Sequence, residues 1–385
     1  MINLSKDTID REDIESLISW LRSNPRLTKG CLTLEFEKRW CNWLKTRYAL
    51  FVNSGSSANL AMMYTAILSK RLKNRKVVVS AISWPTTIAP IIQLGLEPIL
   101  CDADKENIGL DINHFETICH KEKPAAVILV HVLGVPCEMD AIGKICRKNN
   151  IILFEDSCES VGSTYKGKKV GTFGLMSSFS FYFSHQISTI EGGMICTNDK
   201  ALFNILKSIR CHGWDRDLDK KTQRNLRNEY NIDDFHSLYT FYYPGFNFRS
   251  TDLQAFIGLR QLKKIDLICK KRNENLLLYD SLIKNDFWKL KIKKENYISS
   301  LAYPVITPKI DKLVKAFSDN RIETRPLVSG SIGRQPFWRE LYGEKSFEFA
   351  DIVHKYGLYL PNNHQLAKEE IKSISNIANK VINNH

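Results

Sequence analysis

From Ala49 onward, short apolar runs alternate with segments of helical spacing, and few architectures accept that pattern. Val77-Val78-Val79, Pro98-Ile99-Leu100, Ala126 to Val130 and Ile151 to Phe154 lack polar alternation, so each reads as a strand covered on both faces. Between them, segments such as Ala58 to Leu68 and Ala141 to Lys148 carry helical periodicity. The pattern predicts βαβ units and a mostly parallel sheet covered by helices. Met176 to Phe183 and Gly193 to Thr197 add two strands flanking a loop that contains His185. Ahead of the sheet, residues up to about Asn24 read as an amphipathic helix with Ile9, Ile14, Leu17 and Ile18 on one face. Pro25 to Gly30 breaks it, and Phe36 to Leu44 resumes helical spacing. Asp252 to Asn275 has no proline and reads as one long helix leading into a second domain. Leu301 to Val305 and Glu323 to Leu327 look like strands of that domain. The expected division is 1–250 for the N-terminal helices and large domain, and 251–385 for the linking helix and small domain. Asp217 to Ser237 is polar and reads as a loop or excursion over the cleft.

Composition narrows the functional classes. The chain has 385 residues, 43% hydrophobic and 25% charged, as soluble globular proteins do. Its start lacks the order of a signal peptide, and runs such as Ala125 to Val130 are too short to span a bilayer. A cytoplasmic location and no membrane partner are expected. The ten cysteines include no Cys-x-x-Cys or Cys-x-Cys pair, so buried thiols are expected rather than a metal site or a disulfide framework. The net charge of +13 is dispersed, without a basic run interleaved with aromatics, which argues against nucleic acid as a partner.

Several segments carry chemistry. Ser54-Gly55-Ser56-Ser57-Ala58-Asn59 follows a short strand and opens a helix, a place where small residues let backbone amides approach an anion. Read alone, it is either a phosphate cradle or a simple cap at Ser56 or Ser57. Trp84-Pro85-Thr86 follows a strand; Trp84 is either a core residue or a stacking platform. Phe154-Glu155-Asp156-Ser157-Cys158-Glu159 puts an acidic pair at the carboxyl end of a buried strand, where open α/β sheets bind ligands; the bland reading of Asp156 is a helix cap. His212 is either a site residue or an exposed loop histidine.

These segments, in this order, with Ser180 to Met194 and Tyr243-Pro244-Gly245-Phe246-Asn247-Phe248-Arg249, resemble the DegT/DnrJ/EryC1/StrS sugar aminotransferase family from about residue 25 to the C-terminus. The resemblance implies an aspartate-aminotransferase-like α/β fold (pyridoxal 5′-phosphate, PLP, fold type I). That fold has a mostly parallel seven-stranded sheet in the large domain and a smaller C-terminal α/β domain. It also implies that Gly55, Ser56, Ser57 and Ser180 cup the PLP phosphate, that Trp84 stacks on the ring, and that Asp156 meets the pyridine nitrogen. Glu159 falls near the phenolic oxygen. Asn247 reaches the cofactor phosphate of a neighbouring subunit, in a homodimer with shared active sites. Arg325 is a candidate grip for a carboxylate or a diphosphate, with Glu323 and Arg249 as further substrate residues.

The family's lysine, which holds PLP covalently, is replaced here by His185. An imidazole forms no such bond but carries protons near neutral pH. A lysine-less branch of the family consists of sugar-nucleotide 3-dehydratases. The resemblance to it implies that L-glutamate converts PLP to pyridoxamine phosphate (PMP), after which the C3 hydroxyl leaves a nucleotide-linked 4-keto-6-deoxyhexose and ammonia is released. GDP-4-keto-6-deoxy-D-mannose is the substrate it points to, in deoxysugar and lipopolysaccharide O-antigen biosynthesis. His185 would be the catalytic base, with His212 nearby, and some of the positive charge would steer the nucleotide sugar. An aminotransferase using another lysine, or a silent PLP or sugar-nucleotide binding protein, stays open at this point.

Overall fold

The computed structural model describes residues 1–383. Its strands are β1 (Tyr48–Val52), β2 (Lys76–Ser80), β3 (Glu97–Cys101), β4 (Ala126–Val130), β5 (Ile152–Asp156), β6 (Thr164–Tyr165), β7 (Lys168–Lys169), β8 (Met176–Ser180), β9 (Gly193–Thr197), β10 (Tyr303–Ile306), β11 (Arg325–Pro326) and β12 (Gly357–Leu360). The helices of the first half are α1 (Arg11–Leu21), α2 (Cys31–Leu44), α3 (Gly55–Leu68), α4 (Pro85–Gln93), α5 (Ile112–Glu122) and α6 (Met139–Asn149). Those of the second half are α7 (Lys200–Arg210), α8 (Lys220–Glu229), α9 (Asp252–Gln261), α10 (Ile265–Leu282), α11 (Ile310–Asp319), α12 (Pro336–Tyr342), α13 (Ala350–Tyr356) and α14 (Lys368–Asn383).

The large sheet has seven strands in the order β1-β9-β8-β5-β4-β2-β3. Strands β8, β5, β4, β2 and β3 pair in parallel, and β9 runs antiparallel to both β8 and β1. Alternate residues serve opposite faces, as the pleat requires. Val77, Val79 and Ile128 join a core with Met62 of α3 and Leu202 of α7. Val78, Val127 and Leu129 join another with Phe115 of α5 and Ile142 of α6. Burying each such side chain contributes about 1.5–3 kcal/mol before the entropy cost of ordering it. The smaller sheet, β10-β12-β11, is antiparallel and lies against Leu276 of α10, Phe317 of α11 and Ile374 of α14. The chain's first residues join this side: Ile2 bridges Ile322, and Asn3 O accepts from Asn363 Nδ2.

Three expectations need correction. The single helix over Asp252 to Asn275 is two helices, α9 and α10, parted at residues 262–264. No glycine or proline marks the break; tertiary bonds hold it. Asp13 is buried, and it accepts from Arg260 Nε (2.7 Å), Gln261 Nε2 (2.7 Å) and Lys264 Nζ (2.7 Å). The stretch from Asp217 to Ser237 is not simply a loop. Asp219 caps α8 by accepting from Thr222 N, and no residue of the stretch lines the central cavity of its own chain. The first helix spans only Arg11–Leu21, and its Ile14 and Ile18 face solvent while Asp13 is the buried residue.

Candidate active site

Strands β1, β4, β5 and β8 end at one edge of the large sheet, and a cavity of about 400 Å³ lies beyond those ends. Ligands bind at this edge of open α/β sheets because the loops and helix N-termini converge there. Ser54, at the end of the β1 turn, caps α3: its Oγ accepts from Ser57 N at 3.0 Å. The cap is therefore Ser54, not Ser56 or Ser57. Gly55 follows, pressed against the end of β8. A Cβ there would lie 2.7 Å from Ser180 Cβ and 3.0 Å from Cys158 Sγ, so only glycine fits without a shift. The cap leaves Gly55 and Ser56 at the cavity wall opposite Ser180, with Ser56 Oγ 3.0 Å from Thr86 Oγ1. Ser57 is spent on the cap and lies outside the lining.

Asp156 ends β5 and forms part of the floor. It caps no helix. Its Oδ2 accepts from Asn59 Nδ2 (2.8 Å) and Thr87 Oγ1 (2.7 Å), while Asn59 Oδ1 accepts from Ser178 Oγ (2.5 Å). The carboxylate is thus oriented by neutral donors, with no cation bonded to it among the described residues. Its neighbour Glu155 points the other way, as strand alternation demands. It accepts the amides of Gly171, Phe173 and Gly174 and fixes the loop before β8. Trp84, the residue before α4, is 54% exposed at the cavity rim and is not a core residue.

Glu159 sits on the wall beside Leu133, whose N–H donates to its Oε2 at 2.6 Å. Burial pushes this carboxyl up to about pKa 7; the Leu133 amide works against that, and the charge of Asp156 adds to it. The Leu133 backbone is left-handed (φ 51°), a conformation that costs energy for a branched side chain and here aims the amide at Glu159.

His185 lies in the turn after β8. Its N–H donates to Tyr182 O at 3.0 Å, and its Nδ1 lies 2.5 Å from Cys158 O. A carbonyl only accepts, so Nδ1 carries the hydrogen and the lone pair is on Nε2. Among the described residues Nε2 has no partner. Burial pushes the imidazole down to about pKa 4. The bond to the Cys158 carbonyl opposes this, and the charge of Arg272 adds to it. The ring is therefore neutral at physiological pH, with a free basic nitrogen. None of the residues lining the cavity is a lysine.

The remaining expected residues lie in two other places. Glu323 and Arg325 are ion-paired (2.5 Å) and line a neighbouring recess that shares Trp84, Tyr182 and Tyr359 with the cavity. His212, Asn247 and Arg249 form a separate cluster. His212 N donates to Phe246 O (2.7 Å), Arg249 Nη2 is 3.3 Å from His212 Nε2, and Arg249 Nε donates to Asn247 Oδ1 (2.9 Å). None of the three lines the cavity of its own chain, and Asn247 is exposed. Motif reading did not single out Asn59 or Thr87. Both sit one helical turn or less beyond an expected site residue, at helix starts that meet the end of β5.

Residues 7–379 match the DegT/DnrJ/EryC1/StrS aminotransferase family. The chain belongs to that family. GDP-4-keto-6-deoxy-D-mannose 3-dehydratase of Yersinia pseudotuberculosis is 33% identical over 399 residues, covering 99% of each protein. A solved GDP-4-keto-6-deoxymannose-3-dehydratase with a trapped PLP–glutamate geminal diamine superposes with a TM-score of 0.90. It is 30% identical and covers 98% of this chain and 100% of its own. A His-to-Asn variant of an enzyme of that name, with bound GDP-perosamine, gives a TM-score of 0.88 at 29% identity over the same shares. For a member of the DegT/DnrJ/EryC1/StrS family, the aminotransferase-like fold follows, with its largely parallel seven-stranded sheet. Within that fold this chain presents His185, not a lysine, to the cavity.

Proposed function

We propose that this chain is a PLP-dependent lyase that removes the C3 hydroxyl from GDP-4-keto-6-deoxy-D-mannose, with L-glutamate as amino donor and ammonia released. The observation that carries the reading is a cavity with no lysine in its wall and a neutral, Nδ1-protonated His185 in it. The residues present suit the cofactor. Gly55 leaves a cradle that a Cβ would fill, between the amides that open α3 and the Ser180 hydroxyl; with Ser56 these would hold a phosphate. Asp156 would meet a protonated pyridine nitrogen, and Trp84 would cover one ring face. When bound in its PMP form, the cofactor supplies the electron sink that lets a C–O bond break beside the former carbonyl carbon. The protein moves the proton. His185 Nε2 would take the proton from the cofactor's C4′ carbon, and the same nitrogen would return it to the C3 hydroxyl, which leaves as water. A base with its second nitrogen tied to a carbonyl keeps one orientation through both transfers. The Glu323–Arg325 recess would take the nucleotide, Arg325 offering a fork of donors to the diphosphate, with Arg249 as a further substrate contact.

We further propose a homodimer with shared sites. Asn247 is exposed and sits apart from its own cavity, as a residue serving a neighbouring subunit would. Exposed apolar side chains at Tyr230, Phe235, Leu238, Tyr239 and Phe241 offer surface for such a partner. No helix among the described residues is long and apolar enough to cross a membrane, and all ten cysteines are free, which suits the cytoplasm. The test is incubation with PLP, L-glutamate and GDP-4-keto-6-deoxy-D-mannose, followed by mass spectrometry. Loss of the C3 oxygen with ammonia release supports dehydration. An intact C3 hydroxyl with an amino group at C4 overturns it in favour of transamination.

A further inference from the structure

Arg272 of α10 is 1% exposed, and among the described residues no carboxylate lies within ion-pair distance of it. Uncompensated buried cations are rare because leaving water costs several kcal/mol, so such a residue calls for an explanation. Among the described residues its two terminal nitrogens bond backbone carbonyls only, and its buried Nε has no partner. Nη2 donates to His185 O (3.2 Å), and Nη1 donates to Asn362 O (2.7 Å), Leu301 O (2.9 Å) and Ser300 O (3.4 Å). Two of these carbonyls belong to cavity residues, His185 and Leu301. The next residue, Gln186, is fully buried and donates to Glu159 O (2.7 Å) and Ser299 O (2.9 Å). Asn362 Nδ2 closes the web on Arg272 O and Ser300 O. The histidine turn is thus clamped from behind by a positive charge, while its imidazole is held in front by Cys158 O.

We propose that Arg272 is a positioning residue for the His185 base. It fixes the histidine turn through the His185 carbonyl, and its buried charge, secondary to the burial of the ring itself, disfavours a proton on the imidazole. The inference rests on His185 acting as the base. Other titratable groups line the cavity together with His185: Asp156 and the Cys158 thiol from the end of β5 and the residues after it, with Glu159 beyond them, Tyr182 and Glu191 on either side of the turn, and Tyr359 from β12. Asp156 favours the protonated ring and Arg272 opposes it, so the two charges act in opposite directions. Removing Arg272 takes away the charge that opposes Asp156 and leaves burial of the ring as the remaining influence against the proton.

The test is histidine side-chain NMR on the full chain loaded with PLP, with the His185 signal assigned by its loss in His185→Asn. In the wild type, His185 is expected to titrate at least about tenfold below the ordinary imidazole affinity for protons, which corresponds to pKa ~6.5, and to show the Nδ1–H tautomer. An ordinary titration there overturns the proposal without any variant. In Arg272→Gln and Arg272→Met, proton affinity should rise about tenfold, and the acid limb of kcat/KM should move with it. Arg272→Lys keeps the charge and should hold both near their wild-type positions while kcat falls, because the fork on the carbonyls is lost. A folded Arg272→Gln or Arg272→Met protein whose His185 midpoint and acid limb stay put shows a merely structural role. The NMR arm needs no turnover. If His185→Asn dehydrates at the wild-type rate, the functional reading fails while the midpoints still report on Arg272.

Discussion

At the scale of single residues, the site separates two groups by environment. His185 is pushed down to about pKa 4, mainly by burial, and Glu159 is pushed up to about 7, also by burial. The signs follow. A histidine lowered from its ordinary value is neutral across pH 5–8, so it puts no acid limb on kcat/KM near pH 6.5; its contribution to stability is present above that value and fades as pH falls toward 4. A carboxyl that is raised behaves oppositely. Glu159 stabilises the fold while protonated, and that contribution fades as pH rises from the ordinary carboxylate range through 7. With Glu159 beside the cofactor's phenolic oxygen, as the family resemblance implies, the absorption of bound PLP should titrate near pH 7, and Glu159→Gln should abolish that step in a spectrophotometric pH series. An unchanged step in the variant would assign the titration elsewhere.

At the scale of elements, the ends of β1, β5 and β8 and the starts of α3 and α4 build the cavity, and their packing is tight. Gly55→Ala places a methyl against Ser180 and Cys158, where overpacking typically costs about 1–3 kcal/mol. The expected result is a protein that folds but binds PLP at least tenfold more weakly, measured by absorbance titration; unchanged affinity would mean the α3 turn is not the cradle. Asp13 tests a different joint. It is buried and ties α1 to the α9–α10 break through Arg260, Gln261 and Lys264. Arg260 keeps Glu12 and Lys264 keeps Asp10 when Asp13 is lost, so Asp13→Ala removes buried hydrogen bonds without leaving an uncompensated cation, and it should lower stability by about 1–3 kcal/mol in urea denaturation, with little effect on PLP affinity.

This contrast also shows what a sequence reveals. The strands were legible because burial on both faces leaves continuous apolar runs such as Ala126–Val130. Gly55, Asp156, Ser180 and His185, which the cavity gathers, sit within or beside those runs. The helix break at residues 262–264 was not legible, because distant side chains impose it and no local breaker marks it. Helix α8 was missed because a polar, solvated helix lacks an apolar stripe. Asn59 and Thr87 were missed because their role appears only once α3 and α4 meet the end of β5. Arg272 was missed because its partners are carbonyls, which no sequence pattern marks.

At the scale of the whole molecule, a large sheet builds a pocket and a small sheet adds a recess, and a second copy is proposed to complete the site. Mixing Asn247→Ala chains with His185→Asn chains should restore activity, since one site per heterodimer is then intact. Absence of rescue after verified subunit exchange would contradict the shared site. The central claim is that an imidazole, standing where the family's lysine would be, moves the proton that lets the C3 hydroxyl leave. The most direct measurement is the dehydration rate of His185→Asn with L-glutamate and GDP-4-keto-6-deoxy-D-mannose, followed by mass spectrometry on protein shown to be folded and loaded with PLP. The account predicts a fall of about 10² to 10⁴ relative to the wild type, the usual contribution of a general acid–base group. Dehydration at the wild-type rate would contradict it.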